Sequence, residues 1–149
     1  MKESLFKKLV DESENKASSI KLNWRGEATL HPQFNSLVEY IMKKNFIEVM
    51  INTHGNYPLK KRDAVHSLDK VIFSIDSLDK IKYEKIRKNL SFEKLKENFN
   101  AALQHRMNHG KPHIKINMTV QSQNQDEVES FKRSFPPSLV EVRFAPVFE

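Results

Sequence analysis

Two hydrophobic periods alternate along the chain. Leu5, Phe6, Leu9 and Val10 recur at helical spacing, so the segment from about Glu3 to Asn15 predicts a short amphipathic helix. Ile20, Leu22 and Trp24 then alternate with Lys21, Asn23 and Arg25, the period of a strand. Pro32 stands where a helix favours its first residue, and Phe34, Leu37, Val38, Ile41 and Met42 make the apolar stripe that follows. Ile47, Val49 and Ile51 predict a second strand, closed by Gly55 and Pro58. A short helical stretch with Ala64, Val65 and Leu68 leads to the apolar run Val71 to Asp76. Ser91 reads as the N-cap of a longer helix bearing Phe92, Leu95, Phe99, Ala102, Leu103 and Met107, which Gly110 and Pro112 stop. Ile114, Ile116, Met118 and Val120 predict the fourth strand. Asn124 and Glu127 resemble a capping box before Val128 and Phe131, and Val140, Val142 and Phe144 predict the last strand.

Strict alternation of helix and strand argues for one α/β domain spanning 1–149, with parallel strands joined by right-handed crossovers. Parallel strands covered on both faces should be apolar throughout. Several here carry a polar face instead: Lys21 and Asn23, Glu48 and Asn52, Ser74 and Asp76, Lys115, Asn117 and Thr119, Glu141 and Arg143. That face needs water or a ligand. A wide or incomplete barrel with helices outside satisfies both facts, and an antiparallel sheet with one wet face is the alternative.

Composition narrows the chemistry. The 149 residues contain no cysteine, which excludes disulfides, thiolate metal sites and cysteine-ligated iron–sulfur clusters built by this chain alone. A net charge of +6 favours acidic partners, but acids are interspersed and no aromatic residues interleave with the basic clusters at Lys60–Arg62 and Lys80–Lys88, so nucleic-acid binding is disfavoured. No segment has the apolar length of a membrane span or the pattern of a signal peptide, and the expected location is the cytoplasm. Only three glycines are present, and no Walker loop or dinucleotide fingerprint occurs. His105, His109 and His113 are spaced by four, but Gly110 and Pro112 should break the helix before the third, which argues against a shared metal. Glu27 is a conceivable acid or base with no partner carboxylate fixed by spacing, and Trp24 suits packing better than stacking.

The segment Asn23-Trp24-Arg25-Gly26-Glu27-Ala28-Thr29-Leu30-His31-Pro32 resembles the glycine–glutamate motif of radical S-adenosylmethionine (radical SAM) enzymes, with Ala28 where the family usually has proline. Later segments agree in order: Asn52-Thr53-His54-Gly55, Ser74-Ile75-Asp76-Ser77, Tyr83 to Arg87, and Phe92 to Asn98. The resemblance covers about Ile20 to Val120. It implies a partial (β/α)6 barrel of radical SAM type that lacks its first strand. It also implies that S-adenosylmethionine binds across the strands' carboxyl ends, with backbone groups at Gly26 and Glu27 on its amino group. Ser74 and Asp76 would then lie near the ribose and carboxylate, Arg87 would pair with the carboxylate, and Thr53 and Asn117 would complete the set.

Family members carry a 4Fe–4S cluster on a Cys-x3-Cys-x2-Cys loop after their first strand, and electron transfer from it cleaves S-adenosylmethionine to a 5′-deoxyadenosyl radical. This chain has no cysteine and begins with the helix that would follow that loop, so the expectation is an N-terminally truncated domain, inactive alone. Its complete form would act on a peptide or small molecule. The alternative is a non-redox module that keeps affinity for S-adenosylmethionine or a nucleoside. A missing first strand would expose the strand edge from Ile20 to Trp24, leaving it to pair with a missing N-terminal segment or another chain, and predicts self-association.

Overall fold

The computed structural model describes residues 1–23 and 25–146. Trp24, expected from the sequence to pack, and the last three residues lie outside the described residues. Among the described residues, six α-helices and five strands alternate except where α4 and α5 follow one another between β3 and β4: α1 (Glu3–Ser13), β1 (Ser19–Lys21), α2 (Phe34–Ile41), β2 (Glu48–Thr53), α3 (Arg62–Ser67), β3 (Lys70–Ser74), α4 (Lys80–Ile86), α5 (Phe92–His109), β4 (His113–Val120), α6 (Val128–Arg133) and β5 (Val140–Pro146). Short 3-10 turns precede α2, α3 and α6.

The sheet order is β1-β2-β3-β4-β5 and all four pairings are parallel, which replaces the antiparallel alternative. With right-handed crossovers, an order without reversal keeps the crossover helices on one face. The residues divide accordingly. Val49, Ile51, Val71, Phe73, Ile114, Ile116, Met118 and Val140 are buried in one cluster with Val38 and Ile41 of α2, Val65 of α3, Leu95, Phe99 and Ala102 of α5 and Phe131 of α6. The opposite face carries Glu48, Asn52, Lys70, Ser74, His113, Lys115, Asn117, Thr119, Glu141 and Arg143, none of them buried, together with the apolar Met50 and Ile72, of which Ile72 is buried. Charges there pair across strands, Lys70 with Glu48 (3.5 Å) and both Lys115 and His113 with Glu141.

Local chemistry explains the boundaries. Ser91 accepts the Lys94 N–H at the start of α5, and Gly110, left-handed at φ 75°, ends it. α4 lacks an apolar stripe. Tyr83 is its one buried residue, and the helix rests on Asp79, whose carboxylate accepts the Lys82 N–H (2.7 Å). Asn124 caps nothing, contrary to the capping-box expectation. It is fully buried, its Nδ2 donates to the carbonyls of Asp76 (2.7 Å) and Thr119 (2.9 Å), and its Oδ1 accepts the Gln121 N–H (2.8 Å). Glu127 reaches instead to the Ser77 hydroxyl and the Leu78 N–H. The buried carbonyls at the β3 and β4 exits outcompete the helix end, because leaving them unpaired costs more than an uncapped exposed turn.

Candidate functional site

The polar face opens at the carboxyl ends of β1–β3 into a cavity of about 480 Å³. Its walls come from the β1–α2 loop (Asn23, Arg25, Gly26, Glu27, Leu30), the end of β2 (Asn52, Thr53, His54), Ser74 of β3 and Arg87 after α4. The structure thus brings together Gly26, Glu27, Thr53, Ser74 and Arg87 of the residues singled out from the sequence.

Glu27 is the keystone of the loop. Its side chain is 8% exposed. Oε1 accepts from the hydroxyls of Thr29 (2.6 Å) and Thr53 (3.0 Å) and from the Thr29 N–H (3.3 Å); Oε2 accepts the His54 N–H (2.8 Å). A carboxylate with this many donors is a fixed anion that ties the β1 loop to β2, and its acceptor capacity is spent inside the protein. Gly26 before it is left-handed at φ 74°, and a Cβ there would meet no atom within 4 Å, so its backbone is open to the cavity. Asn23 adds a second tie: its Oδ1 accepts the Asn52 N–H (2.9 Å) and its Nδ2 donates to the Asn52 carbonyl (3.0 Å). The amide side chain thereby continues the ladder where β1 ends.

His54 follows Thr53 at the carboxyl end of β2 and faces the Glu27 carboxylate. Its Nδ1 accepts the Asn56 N–H (2.9 Å), which leaves Nε2 to carry the proton, 3.4 Å from Glu27 Oε2. Burial pushes its pKa below the ordinary histidine value, with Arg87 and Lys94 acting in the same direction against Glu27. The imidazole is therefore neutral near pH 7. Gly55, at φ 75°, lies against Leu95 and Phe73, where a Cβ would overlap Leu95 Cδ1. Only glycine fits that bend.

Asp76 does not line the cavity. It is 4% exposed, and its Oδ2 accepts Arg87 Nε–H (2.8 Å) while Oδ1 accepts the Thr119 N–H (2.8 Å). The carboxylate orients Arg87, whose side chain is one quarter exposed and lines the cavity. Asn117 lies beside Ser74 in register on β4, and its Oδ1 is buried with no hydrogen-bond partner among the described residues, as is Asn52 Oδ1. The two anions near the cavity are thus already paired, whereas Arg25, the outer face of Arg87 and the Ser74 hydroxyl remain as donors. Such a lining suits an anionic or acceptor-rich ligand.

The histidines separate as the helix stop requires. His105 and His109 stack at 4.4 Å between ring centroids, with His66 of α3 at 4.8 Å from His105, while His113 sits on the polar face against Glu141. Among the described residues no group of three or more histidine or acidic side chains has the geometry to hold a metal ion, and no helix is long and apolar enough to cross a membrane.

Fold and site together define an α/β protein with a donor-lined cavity at the carboxyl ends of an unreversed parallel sheet. No protein-family model matches the chain, and no curated protein matches it.

Proposed function

We propose that the chain is the S-adenosylmethionine-binding part of a radical SAM enzyme, a partial (β/α)6 barrel whose helices lie outside and whose polar face is the lumen. The observation that carries this reading is the meeting of Gly26, Glu27, Ser74 and Arg87, distant in sequence, around one cavity at the strands' carboxyl ends. Open α/β folds with parallel strands bind ligands at that end. The open backbone at Gly26–Glu27 takes the amino group of the methionyl moiety, Arg87 takes its carboxylate, and Ser74 faces the ribose. Asp76 acts through Arg87 by fixing the guanidinium.

The residues present do not fit an iron–sulfur cluster, because the chain has no thiolate to ligate iron. Cluster ligands must come from outside these 149 residues. β1 pairs with β2 on one side only among the described residues, so its other edge is where such a segment or a partner chain would add.

The lack of cysteine favours one second reading, a non-redox module that binds S-adenosylmethionine or a nucleoside. Calorimetric titration of the chain with S-adenosylmethionine tests the feature shared by both. Binding that Arg87→Ala weakens at least tenfold is the expected result, and no binding in a folded wild-type protein overturns both. Iron content of the native protein isolated from its source then separates them, since only the first reading requires a cluster.

A further inference from the structure

The sheet ends in two strands that pair on one side only among the described residues: β1, with three registered residues, and β5, with seven. An unpaired edge presents backbone N–H and C=O groups to any strand that fits beside it. Along β5 the side chains alternate. Val140, Val142 and Phe144 lie on the helix-covered face, and Glu141 and Arg143 on the polar face. Val140 is buried, whereas Val142 and Phe144 are only half-buried, so apolar surface remains at the rim of the core. Arg143 is exposed and has no ion-pair or hydrogen-bond partner among the described residues. Glu141 Oε1 accepts from Lys115 and Oε2 pairs with His113 Nε2 (3.1 Å), which leaves each carboxylate oxygen a further lone pair to share.

The strand that fits this edge is a second copy of it. Two identical edges meet about a two-fold axis perpendicular to the sheet, which runs the strands antiparallel and keeps the helices of both copies on one side. Because the axis preserves the faces, each residue stands opposite a residue of its own face, and the symmetric registers centre on single residues. With Val142 opposite its own counterpart, Glu141 faces the second copy's Arg143 and Arg143 faces the second copy's Glu141, about 5 Å apart at Cβ. On the other face Val140 and Phe144 then stand opposite one another, apolar against apolar. Centring on Glu141 or on Arg143 instead sets two like charges directly across, which is unfavourable. The charge pattern of β5 therefore selects one register.

We infer that the β5 edge is a homodimer interface, in which two copies pair antiparallel about Val142 and join their sheets into one. Lys115, Glu141 and the second copy's Arg143 then form a row of alternating sign across β4, β5 and the added strand, and Arg143 gains the anion it lacks in one copy. Reversal of strand direction carries the two cavities to opposite ends of the dimer, where neither obstructs the other. The interface uses no residue of the cavity, so it stands or falls apart from the cofactor reading.

An edge pairing of this length belongs to the small, weak class of interfaces, so sedimentation of the full chain up to about 1 mM should show a monomer–dimer equilibrium. Arg143→Glu sets like charges opposite one another at two places in the pair and should raise the dissociation constant about tenfold or more, with Arg143→Gln in between. Arg143 touches no partner within its own chain, so both variants should melt with the wild type. The chain has no cysteine, which lets one introduced thiol report the register. In oxidised glutathione, Val142→Cys should give a disulfide-linked dimer, because this register alone among the three brings the two Val142 Cα atoms within disulfide reach of about 4.4–6.8 Å. Adding Arg143→Glu to Val142→Cys should suppress that product at the same concentration. A wild type that stays monomeric throughout overturns the inference. So does a dimer that Arg143→Glu leaves intact, which would put the association at β1, and so does a dimer whose Val142→Cys variant forms no disulfide.

Discussion

Acid should weaken this fold through one histidine. His66 is 6% exposed, its Nε2 has no partner among the described residues, and His105 stacks on it. Burial, helped by His105 and Arg62 against the weaker pull of Asp63, lowers its pKa from 6.5 to about 4. The unfolded chain takes up a proton there at about pH 6.5 while the folded chain resists, so stability is full above that pH and is lost as pH falls toward 4. From the two pKa values, the loss between pH 7 and pH 5 is about 2 kcal/mol. Urea unfolding of wild type and His66→Phe at both pH values reads this as a double difference, which removes His54 and every other group common to both proteins. Wild type should lose about 2 kcal/mol more than the variant between those pH values. Parallel losses would refute the reasoning, because they would mean that the imidazole is solvated or paired in the folded protein.

Three further substitutions address the site's scaffold, each read by urea unfolding at pH 7. Glu27→Gln replaces an oxygen that accepts the His54 N–H or the Thr29 and Thr53 hydroxyls with an amide donor, and should cost about 2–3 kcal/mol; a loss below 0.5 would show those bonds to be dispensable. Gly55→Ala forces both a left-handed alanine and an overlap with Leu95, and should cost about 2 kcal/mol or more, with Leu95→Ala in the same chain recovering part of what the overlap contributes. Asp76→Ala strands Arg87 and the Thr119 N–H and should cost about 3 kcal/mol, whereas Arg87→Ala, at a partly exposed site, should cost less. The β1 edge that no strand among the described residues pairs with should make the chain self-associate in light scattering, and a monodisperse monomer would count against an open edge.

The sequence carried the alternation of elements well because it depends on local period. Phe34, Leu37, Val38 and Ile41 could only be one helix face, and Ile114, Ile116 and Met118 could only be one strand face. It also showed that the second face of the sheet is polar, from Asn52, Ser74 and Asn117. Strand order was not legible, because a period of two says which way side chains point and nothing about which strand lies alongside. α4 escaped notice since Ile81 is exposed and Tyr83 alone is buried, so no stripe exists to read. In the site, the glycine–glutamate segment stood out by its resemblance, yet the work of its carboxylate did not: its partners Thr53 and His54 come from the next strand, 26 and 27 residues away. In the sequence Asn23 is a polar member of an alternating strand and the first residue of the glycine–glutamate segment. Its use as a substitute for backbone at the end of β1 has no local signature, since any asparagine at a strand exit looks the same. Asp76, by its spacing from Ser74, looked available to a ligand, whereas Arg87 and the Thr119 N–H both claim it.

The sequential order of the sheet also bears on how the chain reaches its fold. Each strand pairs only with the strands immediately before and after it in the chain, so every ladder closes across one connection and none waits for distant segments to meet. Loop-closure entropy is then incurred in short instalments. Assembly can spread from any adjacent pair, one βα unit at a time, as in repeat proteins where neighbours alone contribute to the interface. β4 and β5, joined by seven registered pairs, form a natural starting pair, β3 with five pairs to β4 adds next beside the long helix α5, and β1, with three, is a natural last addition. The loop bearing Gly26 and Glu27 would therefore take shape late, its geometry supplied by a sheet that is already in place.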